Sequence, residues 1–280
     1  MVEITEKRHR GRPRSATAGE DSPGVQSLDR AIVLMRLVAD GNGMSLTELA
    51  ARAELPPSTV YRMLSTLQRH GVVEFDDVNQ LWFVGVELFR MGSSFLRRRK
   101  LAERGRAVIE ALMAETGETA NLAIADGASV VFVTQAESHQ AIRAFFRPGT
   151  RSPYHASGVG KAILAFSPSD RRAALLGRTP LEAFTPRTRT TREALDADLS
   201  ACRRRGYALD DEERDLGMRC IAAPIFNELG APFGGVSVSG PRVRLDDAFV
   251  ARVAPLVIAA GHRLTEAMGG ILPRGRDEDD

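Results

Sequence analysis

The chain has 280 residues, enough for two domains with sizeable cores, and at 43% hydrophobic and 26% charged it has the composition of a soluble globular protein. A net charge of +2 excludes a partner announced by bulk charge alone, so the distribution of charge along the chain carries the information. The two cysteines, Cys202 and Cys220, form neither a metal-ligand spacing nor a disulfide framework, which fits a reduced, cytoplasmic setting without metal or cofactor. No apolar run approaches the ~18 residues of a membrane span, and the basic N-terminus lacks the apolar core of a secretory signal.

Residues 1–24 are polar and aperiodic and read as a disordered basic tail. Within it, Arg10-Gly11-Arg12-Pro13 resembles the core of an AT-hook, whose arginines enter the narrow minor groove of A·T-rich DNA. The plainer reading is a solvated basic tail that adds salt-sensitive, non-specific affinity for DNA. Ser27 to Ala39 predicts a helix with Leu28, Ile32, Met35 and Val38 as its apolar stripe, ended by Asp40-Gly41-Asn42-Gly43.

The stretch from Leu46 to Gly71 predicts two short helices and a tight turn. Ser45 and Glu48 make a capping box before the first. Pro56 stops that helix near Ala53, because a residue preceding proline avoids the helical region. The second opens at Pro57 or Ser58, buries Val60, Leu64 and Leu67 with Met63 alongside, and closes at Gly71. Its polar set is Ser58, Thr59, Tyr61, Arg62, Ser65, Gln68 and Arg69, groups able to bond base edges and phosphates. Ser45 and Thr47 open the preceding helix and join this candidate DNA-binding set. Val72–Phe75 and Leu81–Val84 predict a hairpin directly after the pair, the arrangement called a wing. The bland alternative is an ordinary helical pair with a solvated polar face.

Val86 to Lys100 predicts a linker helix ending in Arg97-Arg98-Arg99-Lys100, a basic last turn suited to a helix C-terminus. Beyond it, a helix through Glu115 precedes strands at Asn121–Ala125, Val130–Thr134 and Ala141–Arg147. Short and longer helices follow at Gly158–Phe166 and Thr191–Arg205. Strands at Tyr207–Leu209, Cys220–Phe226 and Gly234–Ser239 and a closing helix at Asp246–Met268 complete an α+β domain. Val236-Ser237-Val238-Ser239 alternates, so two hydroxyls about 7 Å apart share one strand face, where they bracket a small ligand or are merely exposed. His155-Ala156-Ser157-Gly158-Val159-Gly160-Lys161 enters a helix whose first N–H groups suit an anion, or is a routine glycine-rich helix start. A rival from another class is an enzyme with Cys220 as nucleophile, His155 as base and Asp210 as orienter.

Along most of its length the chain resembles the IclR-type transcriptional regulators. Ser45-Leu46-Thr47-Glu48-Leu49-Ala50 and Ser58-Thr59-Val60-Tyr61-Arg62 match their winged helix. Thr116-Gly117-Glu118-Thr119, His155-Ala156-Ser157-Gly158, Gly206-Tyr207-Ala208-Leu209-Asp210, Glu213 and Cys220–Asn227 match their effector domain. The resemblance implies a basic tail (1–24), a winged helix-turn-helix domain (25–85), a linker helix (86–104), a GAF-like effector-binding domain (105–268) and an acidic tail (269–280). It further implies a homodimer or dimer of dimers that binds double-stranded operator DNA. Members responding to glyoxylate or pyruvate hold the acid with residues matching Gly158, Val159, Asp210, Cys220, Ser237 and Ser239. Hydrated glyoxylate offers hydroxyl donors to Asp210, whereas an unhydrated keto group requires that carboxyl to be protonated or to bond elsewhere, which ranks glyoxylate first and pyruvate second.

Overall fold

A computed structural model describes residues 25–99, 101–177 and 180–273, and the chain divides between Ser94 and Phe95 into two compact units. The amino unit begins with α1 (Gln26–Gly41), α2 (Leu46–Arg52) and α3 (Pro57–Arg69). The capping box at Ser45 is complete: the Glu48 N–H donates to Ser45 Oγ at 3.3 Å, and the Ser45 N–H donates to Glu48 Oε2 at 2.9 Å. Glu54 takes a positive φ after α2, and Pro57 starts α3 at its first turn. Leu34, Val38, Leu49, Val60 and Leu64 meet Trp82 in one core. Each such side chain contributes roughly 1.5–3 kcal/mol by leaving water. Trp82 comes from the hairpin of β1 (Val73–Asp76) and β2 (Leu81–Val84), and a bridge from Met44 to Trp82 ties that hairpin to the turn before α2. α4 (Val86–Arg99) follows.

The apolar stripe of α1 differs from the expected one. Leu34 and Val38 are buried with Leu37 beside them, while Leu28 is 57% exposed. Leu34 and Val38 lie four apart on the side facing α2 and α3, and Leu28 sits in the first turn, beyond the reach of that core.

The second unit is a six-stranded antiparallel sheet in the order β5-β4-β3-β8-β7-β6. Its strands are β3 (Thr119–Asp126), β4 (Ser129–Ala136), β5 (Arg151–Pro153), β6 (Ala208–Asp211), β7 (Met218–Phe226) and β8 (Pro232–Pro241). Strand alternation divides the side chains between two cores. Leu122, Ile124, Ile221, Val236 and Val238 pack under α5 (Leu101–Thr116) and α9 (Asp247–Ala267). Ala123, Phe132, Ala208 and Ala222 pack on the other face, under α6 (Gly158–Ala165) and α8 (Arg192–Arg205). Hydroxyl caps start two of these helices: Thr191 accepts from the Ala194 N–H before α8, and Ser157 accepts from the Gly160 N–H before α6. α9 is long and apolar enough to cross a membrane by composition, but Val253, Val257, Ala260 and Leu264 are spent in the core against the sheet.

Two stretches depart from expectation. Ala141–Arg147 is not a strand; side chains hold its main chain instead. Thr119 Oγ1 donates to the Ala144 carbonyl at 2.9 Å, and the Phe146 N–H donates to Gln135 Oε1 at 2.7 Å. α7 (Ser169–Leu176) is a further helix; it fully buries no residue, and only Leu175 and Leu176 at its end pack partly against the core.

Candidate functional site

On α3, Val60 and Leu64 turn inward, which puts Ser58, Tyr61, Arg62 and Arg69 at the exposed surface and leaves Ser65 half-buried between them. Thr59 lies to one side, lining a cleft against Ser27 and Ala31 of α1 together with Arg62 and Thr66. Thr47 is exposed in the first turn of α2, whereas the Ser45 hydroxyl is occupied by the capping box. Arg10 and Arg12 lie outside the described residues. The polar set is therefore presented by the first turn of α2 and the outer face of α3, with Thr59 turned partly away.

The second site is a cavity of about 340 Å³ on the α6 face of the sheet. Strand register builds its floor: Asp210 on β6 is opposite Cys220 on β7, and Cys220 is opposite Ser239 on β8. α6 packs over β6, β7 and β8, and Gly158 and Val159 in its first turn line the cavity. Helix geometry leaves the first amides of α6 without intrahelical acceptors. Ser157 takes the Gly160 amide at 3.1 Å, and the residues carrying the two preceding amides face the cavity. Glycine is required at 158, because a Cβ there would lie 2.8 Å from Cys220 Sγ. The loop that carries Ala144 and Phe146 forms the roof.

Five of the six expected effector residues thus meet in one cavity. Ser237 does not line it; it is fully buried behind Ser239 on the same strand face, with its hydroxyl set against the Cys220 thiol. The reading of that strand face as merely exposed is excluded, since Ser237 and Ser239 are both buried. Beside Ser237 lies Asn121, directly opposite it on β3, which sequence reasoning passed over. A polar residue between Ala120 and Leu122 in an otherwise apolar strand was the available signal.

Burial pushes the Asp210 carboxyl up to about 7, and the neighbouring Glu213 charge adds to the rise. Burial likewise pushes the Cys220 thiol up to about 11, with Asp210 acting in the same direction. Cys220 is therefore a neutral thiol at physiological pH, not the thiolate a nucleophile requires. His155 sits apart from it, with Nε2 2.9 Å from the Glu182 carbonyl and its ring tilted against Phe184.

Behind Asp210 is a buried ion cluster. Lys161 is wholly buried, and its Nζ donates to Glu213 Oε1 at 2.6 Å, to Asp198 Oδ2 at 2.7 Å and to the Leu209 carbonyl. Burial pulls the ammonium pKa down, but the charges of Glu213 and Asp198 outweigh it and the net shift is upward. The Glu213 N–H donates to Asp210 Oδ1 at 2.8 Å, which fixes the carboxyl that faces the cavity. Thr188 Oγ1 donates to the Glu213 carbonyl at 2.6 Å and pins the same loop from outside. Among the described residues no cluster of His, Cys, Asp and Glu could hold a metal ion.

A helix-turn-helix with a hairpin in one unit, and in the other a sheet whose face carries a cavity floored by polar residues, define the class of ligand-responsive DNA-binding regulators. The chain belongs to the IclR family. The family model for the IclR helix-turn-helix domain matches residues 27–77, and that for the bacterial transcriptional regulator IclR C-terminal matches residues 93–266. The HTH-type transcriptional regulator BhcR of Paracoccus denitrificans is 51% identical over 265 residues, 93% of this chain and 95% of that one. The transcriptional repressor IclR of Escherichia coli is 39% identical over 267 residues, 94% of this chain and 97% of that one. The crystal structure of an IclR homologue from Microbacterium hydrocarbonoxydans complexed with 4-hydroxybenzoate superposes with a TM-score of 0.76 at 25% identity, covering 86% of this chain and 98% of that one. The protein is a DNA-binding transcriptional regulator with a C-terminal effector domain; its relatives are regulators and not enzymes.

Proposed function

We propose that the effector is a small 2-oxo acid, glyoxylate before pyruvate, and that its binding re-poises the grip of the protein on operator DNA. The observation that carries this reading is the juxtaposition of a helix N-terminus at Gly158 and Val159 with Asp210, Cys220 and Ser239 around one cavity. The α6 amides and the Ser239 hydroxyl supply donors for a carboxylate. Asp210 meets the other end of the acid. As a carboxylate it accepts from the hydroxyls of hydrated glyoxylate; once protonated it donates to the keto oxygen of pyruvate. A pKa of about 7 makes both forms available at neutral pH, so Asp210 separates the two acids by pH rather than absolutely.

Ser58, Tyr61, Arg62, Ser65 and Arg69 enter the major groove, with Thr59 at their margin and Ser45 and Thr47 near the backbone. Arg10 and Arg12 reach the minor groove beside it. The protein acts in the cytoplasm as a homodimer or dimer of dimers, so its half-sites are pseudo-palindromic. Regulation is by linkage: an acid that prefers one arrangement of the assembly shifts operator affinity by that preference and no more.

A second reading has its own observation. Phe132 and Phe146 stack at 4.5 Å, both line the cavity, and its volume exceeds what a two-carbon acid fills. That wall suits an aromatic carboxylate, the kind of ligand in the Microbacterium hydrocarbonoxydans structure. Calorimetry on the full chain with glyoxylate, pyruvate and 4-hydroxybenzoate, paired with mobility shifts on the DNA upstream of its own gene, tests both. Heat and an altered shift with glyoxylate support the first reading, a response to 4-hydroxybenzoate alone supports the second, and no heat with any acid overturns both.

A further inference from the structure

We propose that Asn121 is a positioning residue of the effector site, which turns the Ser239 hydroxyl outward as a donor to the carboxylate of the bound acid; this rests on the 2-oxo acid reading of the cavity. Alternation along β3 sends Ala120, Leu122 and Ile124 into the core under α5 and α9 and turns Asn121 to the α6 face. There it is fully buried. Its Nδ2 donates to Ser239 Oγ at 3.3 Å, while its Oδ1 has no partner; the Ser237 hydroxyl across the strand pair is set against the Cys220 thiol. An unsatisfied buried polar group is destabilising, so a leucine would serve packing better at this position. What the amide provides is direction. A hydroxyl has one proton and accepting lone pairs. When Asn121 donates to the Ser239 oxygen, the Ser239 proton is turned away from β3, toward the cavity and the Cys220 thiol that borders it. The opposite amide orientation would draw that proton inward and present lone pairs to an anion.

The test is a double-mutant cycle on the full chain, read by calorimetry with glyoxylate and pyruvate and by thermal melting without either. Asn121→Ala and Ser239→Ala should each weaken binding about tenfold, and the double variant should bind no more weakly than Ser239→Ala, because Asn121 acts through Ser239. Asn121→Asp keeps the shape but removes the donor; its loss should be larger at pH 8 and shrink as the new carboxyl protonates. A purely structural Asn121 would lower the melting temperature and leave affinity unchanged, and that result, or multiplying losses in the double variant, overturns the proposal. If the alanine variant does not fold, equal affinities of Asn121→Asp and the parent chain at pH 8 overturn it as well. A parent chain that binds neither acid brings down the effector reading and this inference together, whereas binding with an additive cycle brings down this inference alone.

Discussion

Asp210→Asn should make the protein more stable and less responsive at once. The Asp210 carboxyl rises from an ordinary value of 3.8 to about 7 on folding, with burial as the main cause. A carboxyl with a raised folded pKa contributes its full stability below its unfolded pKa and loses it as pH rises through the folded one. At about 1.36 kcal/mol per unit, holding Asp210 ionised above pH 7 costs at most about 4 kcal/mol. Relaxation of the site and water entry reduce this to about 2 kcal/mol. The amide of Asp210→Asn keeps an acceptor for the Glu213 N–H, now at 2.8 Å, so removing the charge leaves the loop tethered. For a chain of this size about 2 kcal/mol is a rise of roughly 4–8 °C in melting temperature. The gain is largest at pH 8 and shrinks as pH falls from 7 toward 3.8, to less than half by about pH 5. Thermal melts of parent and variant at pH 8 and pH 5 read it directly, and calorimetry on the same samples should show glyoxylate affinity falling about tenfold. A variant no more stable than the parent at pH 8, or equally stabilised at both pH values, would refute the account of a buried carboxyl held at a cost.

The remaining predictions concern the floor of the cavity, the ion cluster and the recognition helix. Gly158→Ala places a methyl 2.8 Å from Cys220 Sγ and should cut glyoxylate affinity at least about tenfold. Promoter binding without the acid should persist, and its loss in mobility shifts would count against a local effect. Lys161→Met leaves Glu213 and Asp198 without their shared ammonium and should cost about 3–5 kcal/mol, read by chemical denaturation; an unchanged midpoint would remove the cluster from the stability of the fold. Arg62→Ala should weaken operator binding about tenfold with its helical signal intact, while Thr59→Ala, at a less exposed position, should change it less; the reverse order would count against Arg62 as the main DNA contact. Pyruvate affinity should rise as pH falls from 8 to 6, because protonated Asp210 can donate to a keto oxygen, and titration calorimetry across that range showing a flat or falling affinity would exclude Asp210 as that donor.

The amino unit was legible because its determinants are local. The capping box at Ser45, the proline at 57 and the positive φ at Gly71 each act within a few residues, and all stand where the spacing puts them. The closing helix and α8 were legible for the same reason, through the caps at Asp246 and Thr191. Ala141–Arg147 was not, because its main chain is held by the side chains of Thr119 on β3 and Gln135 on β4; a β-rich pattern alone cannot tell a ladder from a tethered loop. α7 is hard to read because it fully buries no residue and packs on the core only through the adjacent Leu175 and Leu176, which form no helical stripe.

The site divides along the same line. Resemblance names Asp210, Cys220, Ser237 and Ser239, but only register shows that Ser239 faces the cavity while Ser237 and Asn121 form the row behind it. Lys161 reads in the sequence as one residue of a glycine-rich helix start, and its partners Asp198 and Glu213 lie 37 and 52 positions away. Their meeting is a property of the packed sheet, and so is the pKa of Asp210, which no spacing encodes. The chemistry that would distinguish one 2-oxo acid from another therefore sits in the least legible layer. In the proposed site Asp210 offers an acceptor or a donor, burial and then the Glu213 and Lys161 charges shift how readily it ionises, and Asn121 is inferred to direct the Ser239 proton. A relative that keeps the residues touching the acid but changes Asn121 or the Lys161 cluster should answer to a different acid or at a different pH, which makes those buried neighbours, more than the cavity lining, the positions to exchange between members of the family.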